Sequence, residues 1–296
     1  MNMKSQTGSV TSKDGTTIGY RQFGHGPGLI LVQGAMGTAD NFIQFGEALA
    51  DVFSVYAPDR RGRGLSGDGN NDYNVQKEVE DLDALFNKTG AHYLFGLSAG
   101  ALISLQATLK LSAIHKAAIY EPPLFVNGMP TALMMRYEKE MAQGRLAAAL
   151  VTAMQATQMG PQIFNIMPRW TLELLTNMAM KSEDKEAKNG DATMRKLAPT
   201  LRHDFQVVAE MNGKLETFKA VHPDVLLLGG SQSPAFLKAD LDALEKVLPH
   251  VTRIEFPGLG HSAAWNYDKQ KNPDGRPEQV AQELKRFFAE PYPNSK

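Results

Sequence analysis

The strongest constraint on the fold is an alternation of short apolar segments with longer stretches of helical periodicity. Runs such as Leu29–Gln33 and His92–Leu97 have the length and composition of buried strands. Between them, Val75–Lys88 repeats apolar residues at helical intervals under a charged face. Strands and helices that alternate with short connections are typical of a mostly parallel sheet covered by helices on both faces. The sequence therefore predicts an α/β protein.

The alternation stops after the predicted strand Ala117–Tyr120 and resumes at Val225–Leu228. The block between them contains helical stretches, Met134–Ala156 and Arg169–Lys181, and no convincing strand. We predict that residues 122–221 form a helical cap inserted between two strands of one sheet. Residues 1–121 and 222–296 would then form the core domain.

The predicted cap is rich in methionine, with eleven of the 14 methionines of the chain. Methionine is flexible enough to fill gaps between packed helices or to line an adaptable apolar pocket, and both interpretations stay open. The charged run Lys181–Lys188 is expected to form an exposed loop of the cap.

Composition argues against several classes of function. The formal net charge is −1 and the basic residues are scattered, so no strong field draws the chain to nucleic acid or to an acidic membrane surface. The chain has no cysteine, which excludes disulfides, thiolate metal ligands and a cysteine nucleophile. Met1–Gly15 has no apolar core of a signal peptide, and no apolar run approaches the length of a membrane span. We expect a cytoplasmic enzyme without a metal or cofactor, and a homodimer stays open.

The clearest chemical signal is Gly96-Leu97-Ser98-Ala99-Gly100, which joins a predicted strand to the predicted helix Ala99–Leu111. A serine on such a sharp turn exposes its hydroxyl above the sheet, and small neighbours let other backbone segments approach closely. The pattern also arises by chance, so its position between a strand and a helix carries the argument. We interpret Ser98 as a nucleophile.

A serine hydroxyl is a weak nucleophile and needs a base within hydrogen-bond reach. Of the seven histidines, His261 follows the last predicted strand and therefore lies at the carboxyl edge of the sheet, as Ser98 does. His222 and His250 precede strands and lie at the opposite edge. The sequence thus favours His261 as the base.

Four segments in chain order resemble the α/β-hydrolase family: the Gln33-Gly34-Ala35 turn, the Asp59–Ser66 loop, the serine turn and the Gly-Leu-Gly-His segment that ends at His261. The resemblance covers most of the chain outside the cap. It implies the α/β-hydrolase fold, with an eight-stranded, mostly parallel sheet, helices on both faces and a helical cap. Within the second segment, Asp59 and Arg60 are expected to form a structural network rather than to act in catalysis.

The resemblance also implies an oxyanion hole formed by the backbone N–H groups of Ala35 and Ala99. Gln33 stands where the family usually has histidine. Because the implied donors are backbone groups, their role is expected to survive this departure. Met36, next to Ala35, is expected to face the substrate pocket.

The triad acid is the second departure from the family pattern. Many members carry an aspartate after the seventh strand, but Gly229–Pro234 has no carboxylate, and the next one is Asp240 inside a helix. Glu121 ends the strand that follows the nucleophile's helix. Zearalenone lactonases and certain dehalogenases are similar in taking their acid from this position. We predict Glu121 as the acid that orients His261, with Asp240 as the alternative.

These features predict a serine hydrolase that cleaves an apolar ester or lactone through an acyl-enzyme. Related epoxide and haloalkane hydrolases use an aspartate at the serine position, so Ser98 argues against those reactions. The alternatives are a cofactor-free lyase or perhydrolase on the same triad, and a ligand-binding module without activity. Helical spacing and methionine density suggest four residues for an apolar pocket wall: Met154, Phe164, Met167 and Trp170.

Overall fold

A computed structural model describes residues 5–68, 72–158, 160, 162–188 and 190–289. Its strands are Gln6–Thr11 (β1), Thr17–Phe23 (β2), Gly28–Val32 (β3), Ser54–Pro58 (β4), Tyr93–Leu97 (β5), Lys116–Tyr120 (β6), Asp224–Gly230 (β7) and Val251–Phe256 (β8). They form one sheet in the order β1-β2-β4-β3-β5-β6-β7-β8. β2 runs antiparallel to both of its neighbours, and the other neighbouring pairs are parallel. The predicted eight-stranded, mostly parallel sheet is confirmed.

Helices cover both faces of this sheet. The α-helices are Ile43–Leu49 (α1), Val75–Thr89 (α2), Ala99–Thr108 (α3), Thr131–Ala142 (α4), Leu146–Thr157 (α5), Arg169–Glu186 (α6), Met194–Leu197 (α7), Leu201–Met211 (α8), Ala235–Val247 (α9) and Pro277–Ala289 (α10). Residues of α2, α3 and α9 belong to one hydrophobic core, and residues of α1 and α10 belong to another. Successive strand residues point to opposite faces, so Leu94 of β5 joins the first core and Phe95 joins the second.

The edge strand β1 was not recognisable from local pattern. Its sequence, Gln-Thr-Gly-Ser-Val-Thr, is polar and largely exposed, so it lacks the alternation that marks a half-buried strand. Backbone pairing with β2, from Gln6 opposite Gln22 to Thr11 opposite Thr17, holds it in the sheet. The family resemblance alone implied an eighth strand. The first four and the last seven residues of the predicted core domain lie outside the described residues.

Helices α4 to α8 lie between β6 and β7, within the segment predicted as a cap. The predicted continuous helix Met134–Ala156 is wrong in one respect, because it is interrupted at Gly144, whose positive φ of 69° ends α4. The predicted charged loop Lys181–Lys188 is also wrong over most of its length, since α6 continues to Glu186. Residues 181–186 contain no glycine or proline, and lysine and glutamate are good helix formers.

The helical insert, residues 122–221, has a hydrophobic core of its own. Buried side chains from its helices form one cluster, which includes Tyr137, Leu150, Met180 and Phe205. Ala35 and Met36, on the turn after β3, pack against that cluster. The insert therefore lies directly over the carboxyl edge of the sheet near β3. No helix in the described ranges is long and apolar enough to cross a membrane.

Candidate active site

The predicted nucleophile, base and acid follow strands that are parallel in the sheet. Ser98 follows β5, Glu121 follows the adjacent β6, and His261 lies on the loop after β8. Because parallel strands end at one edge, the fold gathers these three residues from distant parts of the chain. In open α/β sheets, the functional groups normally lie at this carboxyl edge.

Ser98 has a strained backbone, with φ 57° and ψ −123°, at the N-terminus of α3. Its backbone N–H donates to the carbonyl oxygen of Tyr120 at 2.9 Å, which ties the turn to the end of β6. A Cβ atom added at Gly100 would lie 2.4 Å from the carbonyl oxygen of Val32. Position 100, two residues after the serine, therefore requires glycine, because β3 approaches the backbone closely there.

Glu121 and His261 are in direct contact. His261 Nδ1 lies 2.6 Å from Glu121 Oε2, and the backbone N–H of Gly230 donates to Glu121 Oε1 at 2.6 Å. Glu121 is fully buried, whereas His261 is partly exposed. A carboxylate can only accept in these bonds, so the proton of a neutral His261 ring is held on Nδ1. The lone pair of Nε2 is then available to take a proton.

Tyr120 is a contributor to the site that sequence analysis missed. Its hydroxyl donates to the carbonyl oxygen of Gly260 at 2.8 Å, immediately before His261. Burial, assisted by the charge of Glu121, raises the pKa of Tyr120 well above its usual value, so the hydroxyl keeps its proton. The contact joins residues 140 positions apart, and no local sequence pattern predicts such a pairing.

Asp240, the alternative acid, is engaged elsewhere. Its two carboxylate oxygens accept the backbone N–H groups of Phe125 and Val126, each at 2.9 Å. Burial raises the pKa of Asp240 to about 6, against the opposing effect of these hydrogen bonds. Asp240 therefore fixes the start of the insert, and His261 contacts Glu121 instead.

The turn at Gly34–Gly37 lies beside Ser98. A Cβ atom added at Gly34 would lie 2.9 Å from the Cβ of Ser98. Met36 has a positive φ of 57°, and the Gly37 N–H donates to the Gly34 carbonyl at 3.4 Å. Ala99 is the first residue of α3, where a backbone N–H has no partner within the helix. Of the two predicted oxyanion donors, Ala99 thus directly follows Ser98 in the chain, and Ala35 directly follows Gly34, which lies beside Ser98 in space.

Backbone strain is concentrated at this edge of the sheet. Five non-glycine residues in the described part of the chain have a positive φ, and three of them are Met36, Ser98 and Glu121. Each such residue costs about 1–3 kcal/mol and persists only where the surroundings enforce it. Strain of this kind is typical of functional sites.

The loop after β4 forms the structural network expected of Asp59 and Arg60. Asp59 accepts the backbone N–H groups of Ala39 at 2.7 Å and Leu65 at 2.9 Å, and its burial raises its pKa. Arg60 is buried and donates to Glu78 and to Asp204 of α8. Gln33 is also buried, and its side-chain amide donates to the Pro58 carbonyl. These contacts join the ends of β3 and β4.

The residues predicted to bind substrate occupy different environments. Met36, Met154, Phe164 and Met167 are partly buried, whereas Trp170 is 69% exposed. Trp170, Leu174 and Met178 are exposed at intervals of four residues along α6, and Ile166, which precedes that helix, is exposed as well. A cleft of about 920 Å³ between the insert and the loop after β4 is lined by residues such as Tyr73, Met134 and His203. Its described lining includes none of the five predicted residues, so their role stays a prediction.

The described residues contain no group of three or more histidine, aspartate or glutamate side chains that could hold a metal ion.

Comparisons with known proteins agree with this architecture. Residues 29–283 match the model of the alpha/beta hydrolase family. The uncharacterised hydrolase YraK of Bacillus subtilis is 34% identical over 115 residues, which cover 37% of this chain and 42% of that protein. N-formylmaleamate deformylase of Pseudomonas putida is 30% identical over 122 residues, which cover 40% of this chain and 46% of that protein. The matches thus span less than half of these curated relatives.

The crystal structure of an alpha/beta hydrolase from Sphaerobacter thermophilus is also similar to this chain. The two have a TM-score of 0.74 and 28% sequence identity, and the match covers 95% of this chain and 100% of that one.

Proposed function

The chain belongs to the alpha/beta hydrolase family, and on that premise we propose that it is a serine hydrolase. Its substrate is a carboxylic ester or lactone of an apolar small molecule, cleaved through an acyl-enzyme. The observation that carries the proposal is the 2.6 Å contact between the buried Glu121 and His261, at the sheet edge where the strained Ser98 lies. Glu121, rather than Asp240, is the acid of the proposed triad.

In the first half of the reaction, the Ser98 hydroxyl oxygen attacks the carbonyl carbon while His261 Nε2 takes its proton. The carbonyl oxygen becomes an oxyanion, which the N–H groups of Ala35 and Ala99 stabilise. As the carbon–oxygen bond to the leaving group breaks, His261 returns the proton to the leaving alkoxide. An alcohol departs, or a lactone ring opens, and the acyl group stays on Ser98.

In the second half, His261 takes a proton from water, and the resulting hydroxide attacks the acyl carbon. Collapse of the second tetrahedral intermediate releases the carboxylic acid and returns the proton to Ser98. Glu121 carries a negative charge in a fully buried position, where an opposite charge on His261 is screened little by solvent. It therefore stabilises the imidazolium that forms in each half of the reaction.

The apolar character of the proposed substrate rests on the surroundings of the Gly34–Gly37 turn. Ala35 and Met36 pack against the hydrophobic core of the insert. A substrate whose carbonyl group lies at Ser98 and the Ala35 N–H would be next to these apolar side chains. The formal net charge of −1 also provides little electrostatic attraction for a strongly charged ligand.

A fluorophosphonate probe tests the serine mechanism. We expect the wild-type protein to be labelled at Ser98, as identified by peptide mass spectrometry, and Ser98→Ala to be folded and unlabelled. Turnover of p-nitrophenyl esters should fall by several powers of ten in Ser98→Ala, because members of a triad act as a unit.

Two further outcomes separate the alternatives. Release of one equivalent of acid for each ester consumed identifies a hydrolase, whereas a lyase releases none. A wild-type protein that is neither labelled nor active on esters and lactones would reject the proposal in favour of a binding module. Retention of a tenth of the wild-type turnover in Ser98→Ala would reject Ser98 as the nucleophile.

A further inference from the structure

Arg63 connects the proposed oxyanion site to the helical insert. Its side chain is buried, and its Nη1 atom donates to the carbonyl oxygens of Gly34 at 2.9 Å and Gly37 at 3.3 Å. Its Nη2 atom donates to Asp204 Oδ2 at 2.6 Å. Gly34 and Gly37 are the two ends of the turn that contains Ala35, and Asp204 belongs to α8. One guanidinium therefore binds both the turn and the insert.

The peptide bond between Gly34 and Ala35 transmits this contact to the proposed oxyanion donor. A trans peptide is planar, and its C=O and N–H groups point in opposite directions. The Gly34 carbonyl and the Ala35 N–H belong to the same peptide unit. When Arg63 binds that carbonyl, it fixes the plane and hence the direction in which the Ala35 N–H points.

The turn needs such an external constraint. Its internal hydrogen bond, from the Gly37 N–H to the Gly34 carbonyl, is long at 3.4 Å. Met36 has a positive φ of 57°, a conformation that costs a non-glycine residue about 1–2 kcal/mol. A turn with a weak internal bond and a strained residue keeps its shape only if neighbouring groups enforce it. Arg63 binds the carbonyl at each end.

Asp204 in turn determines where the Arg63 guanidinium lies. Its second oxygen, Oδ1, accepts from Arg60 Nη1 at 2.6 Å, so one carboxylate bridges two buried guanidinium groups. All three side chains are at most 4% exposed. Removal of one partner from a buried ion pair leaves an uncompensated charge that reorients or draws in water. The position of Arg63 therefore depends on the carboxylate that the insert supplies.

We propose that Arg63 is the positioning residue for the Ala35 oxyanion donor. Through its contact with Arg63, Asp204 makes the orientation of this donor depend on the position of the insert. The inference rests on the proposed serine mechanism, because it assigns Ala35 to the oxyanion. On this view the insert contributes to the chemical step through α8, in addition to any contact with substrate. A change at Asp204 should therefore affect transition-state stabilisation more than ground-state binding.

The test compares Asp204→Asn with the matched control Glu78→Gln. Glu78 is also a buried carboxylate of this network, but it pairs with Arg60 at 2.8 Å, and within the described part of the chain its hydrogen bonds are to Arg60 and Tyr73 rather than to the turn. Both variants remove one buried negative charge, and urea unfolding measures the loss of stability in each. Activity is measured as kcat and KM for p-nitrophenyl butyrate. The labelling rate with a fluorophosphonate is measured in parallel, because it depends on the same oxyanion donors.

We expect Asp204→Asn to lower kcat, kcat/KM and the labelling rate together by roughly 10- to 100-fold, with KM within about twofold of wild type. This is less than the complete loss of one oxyanion donor, which costs about 100- to 1,000-fold. Glu78→Gln should lose comparable stability but stay within about threefold of wild type in all three rates. Arg63→Lys keeps the charge but lacks the planar fork, so its rates should fall as those of Asp204→Asn do.

Equal losses of rate in Asp204→Asn and Glu78→Gln would show a merely structural network and overturn the inference. Wild-type rates in a folded Asp204→Asn protein would overturn it as well. If Asp204→Asn does not fold, Arg63→Lys decides the question, and wild-type rates in that variant reject the proposal. Labelling of the wild-type protein at Ser98 in the same experiment tests the serine mechanism separately. A wild-type protein without labelling rejects that mechanism and this inference with it.

Discussion

Replacement of Glu121 by glutamine is the sharpest test of the proposed triad. Glu121 Oε1 accepts the Gly230 N–H and Oε2 accepts the His261 Nδ1–H, each at 2.6 Å. Glutamine keeps the size of the side chain but has only one accepting atom. If its oxygen faces Gly230, its NH₂ group faces His261 and favours the ring tautomer with the proton on Nε2. That tautomer cannot accept the proton of Ser98.

The opposite orientation of the glutamine also has a cost. Its NH₂ group would then face the Gly230 N–H in a fully buried position, and an unsatisfied buried donor costs about 1–3 kcal/mol. In either orientation the negative charge that stabilises the imidazolium is lost. We expect kcat to fall by roughly two to four powers of ten, which corresponds to about 3–5 kcal/mol of transition-state stabilisation.

The assay is steady-state hydrolysis of a p-nitrophenyl ester, with circular dichroism and urea unfolding to confirm the fold. Nitrogen NMR of the histidine ring reports the tautomer directly. Asp240→Asn is the matched control, because Asp240 is an equally buried acid that accepts two backbone N–H groups. It should retain kcat within a few-fold. A silent Glu121→Gln together with a strongly impaired Asp240→Asn would refute the assignment of the acid.

Three further predictions concern stability and specificity. Gly100→Ala should destabilise the protein by about 1–3 kcal/mol in urea unfolding, since its Cβ would lie within 2.5 Å of the carbonyl oxygens of Val32 and Gln33. Gly67→Ala should be near neutral, because a Cβ atom there would have no contact closer than 3.7 Å. Equal losses of stability in the two variants would contradict the steric argument. Burial lowers the pKa of His203 to about 4, so between pH 4 and 6.5 the unfolded chain binds more protons than the folded one. The free energy of unfolding should therefore fall by about 1–2 kcal/mol as the pH drops through this window. The same fall in His203→Phe would show that other groups cause the pH dependence. Alanine substitutions at Met154, Phe164, Met167 and Trp170 should shift the ratio of kcat/KM between short and long acyl esters; if they only lower the melting temperature, these residues are packing residues.

The sheet and its helices could be predicted because their signals are local. Buried strands such as β3 and β5 are short apolar runs, and α2 has a clear apolar stripe, so each is recognisable from neighbouring residues. β1 was not predicted from its own residues, because backbone pairing with β2 holds it in the sheet rather than burial of its own side chains. The break at Gly144 shows the same limitation, since a single residue with positive φ divides an otherwise continuous helical pattern.

The candidate site divides in a similar way. Ser98, Glu121 and His261 could be proposed because each follows a strand, and the edge of a parallel sheet is deducible from strand direction. Their catalytic roles, and the branch within the family, stay predictions. The contacts of Tyr120 with Gly260 and of Arg63 with Asp204 join segments 140 and 141 residues apart. These contacts depend on where the insert and the loop after β8 pack against the sheet, and the local sequence pattern does not determine that packing.

The position of the Glu121 carboxylate, directly after β6, explains the two glycines at the end of β7. A Cβ atom at Gly229 would lie 3.1 Å from Glu121 Oε1 and 2.6 Å from a side-chain carbon of Leu241. A Cβ atom at Gly230 would lie 2.2 Å from the carbonyl oxygen of Leu259. The Glu121 side chain and the loop that carries His261 thus occupy the space that side chains on β7 would need. Since the Gly230 N–H also donates to Glu121, β7 contributes to this acid through its backbone. The same packing that buries Glu121 therefore leaves no room for a carboxylate side chain at positions 229 and 230.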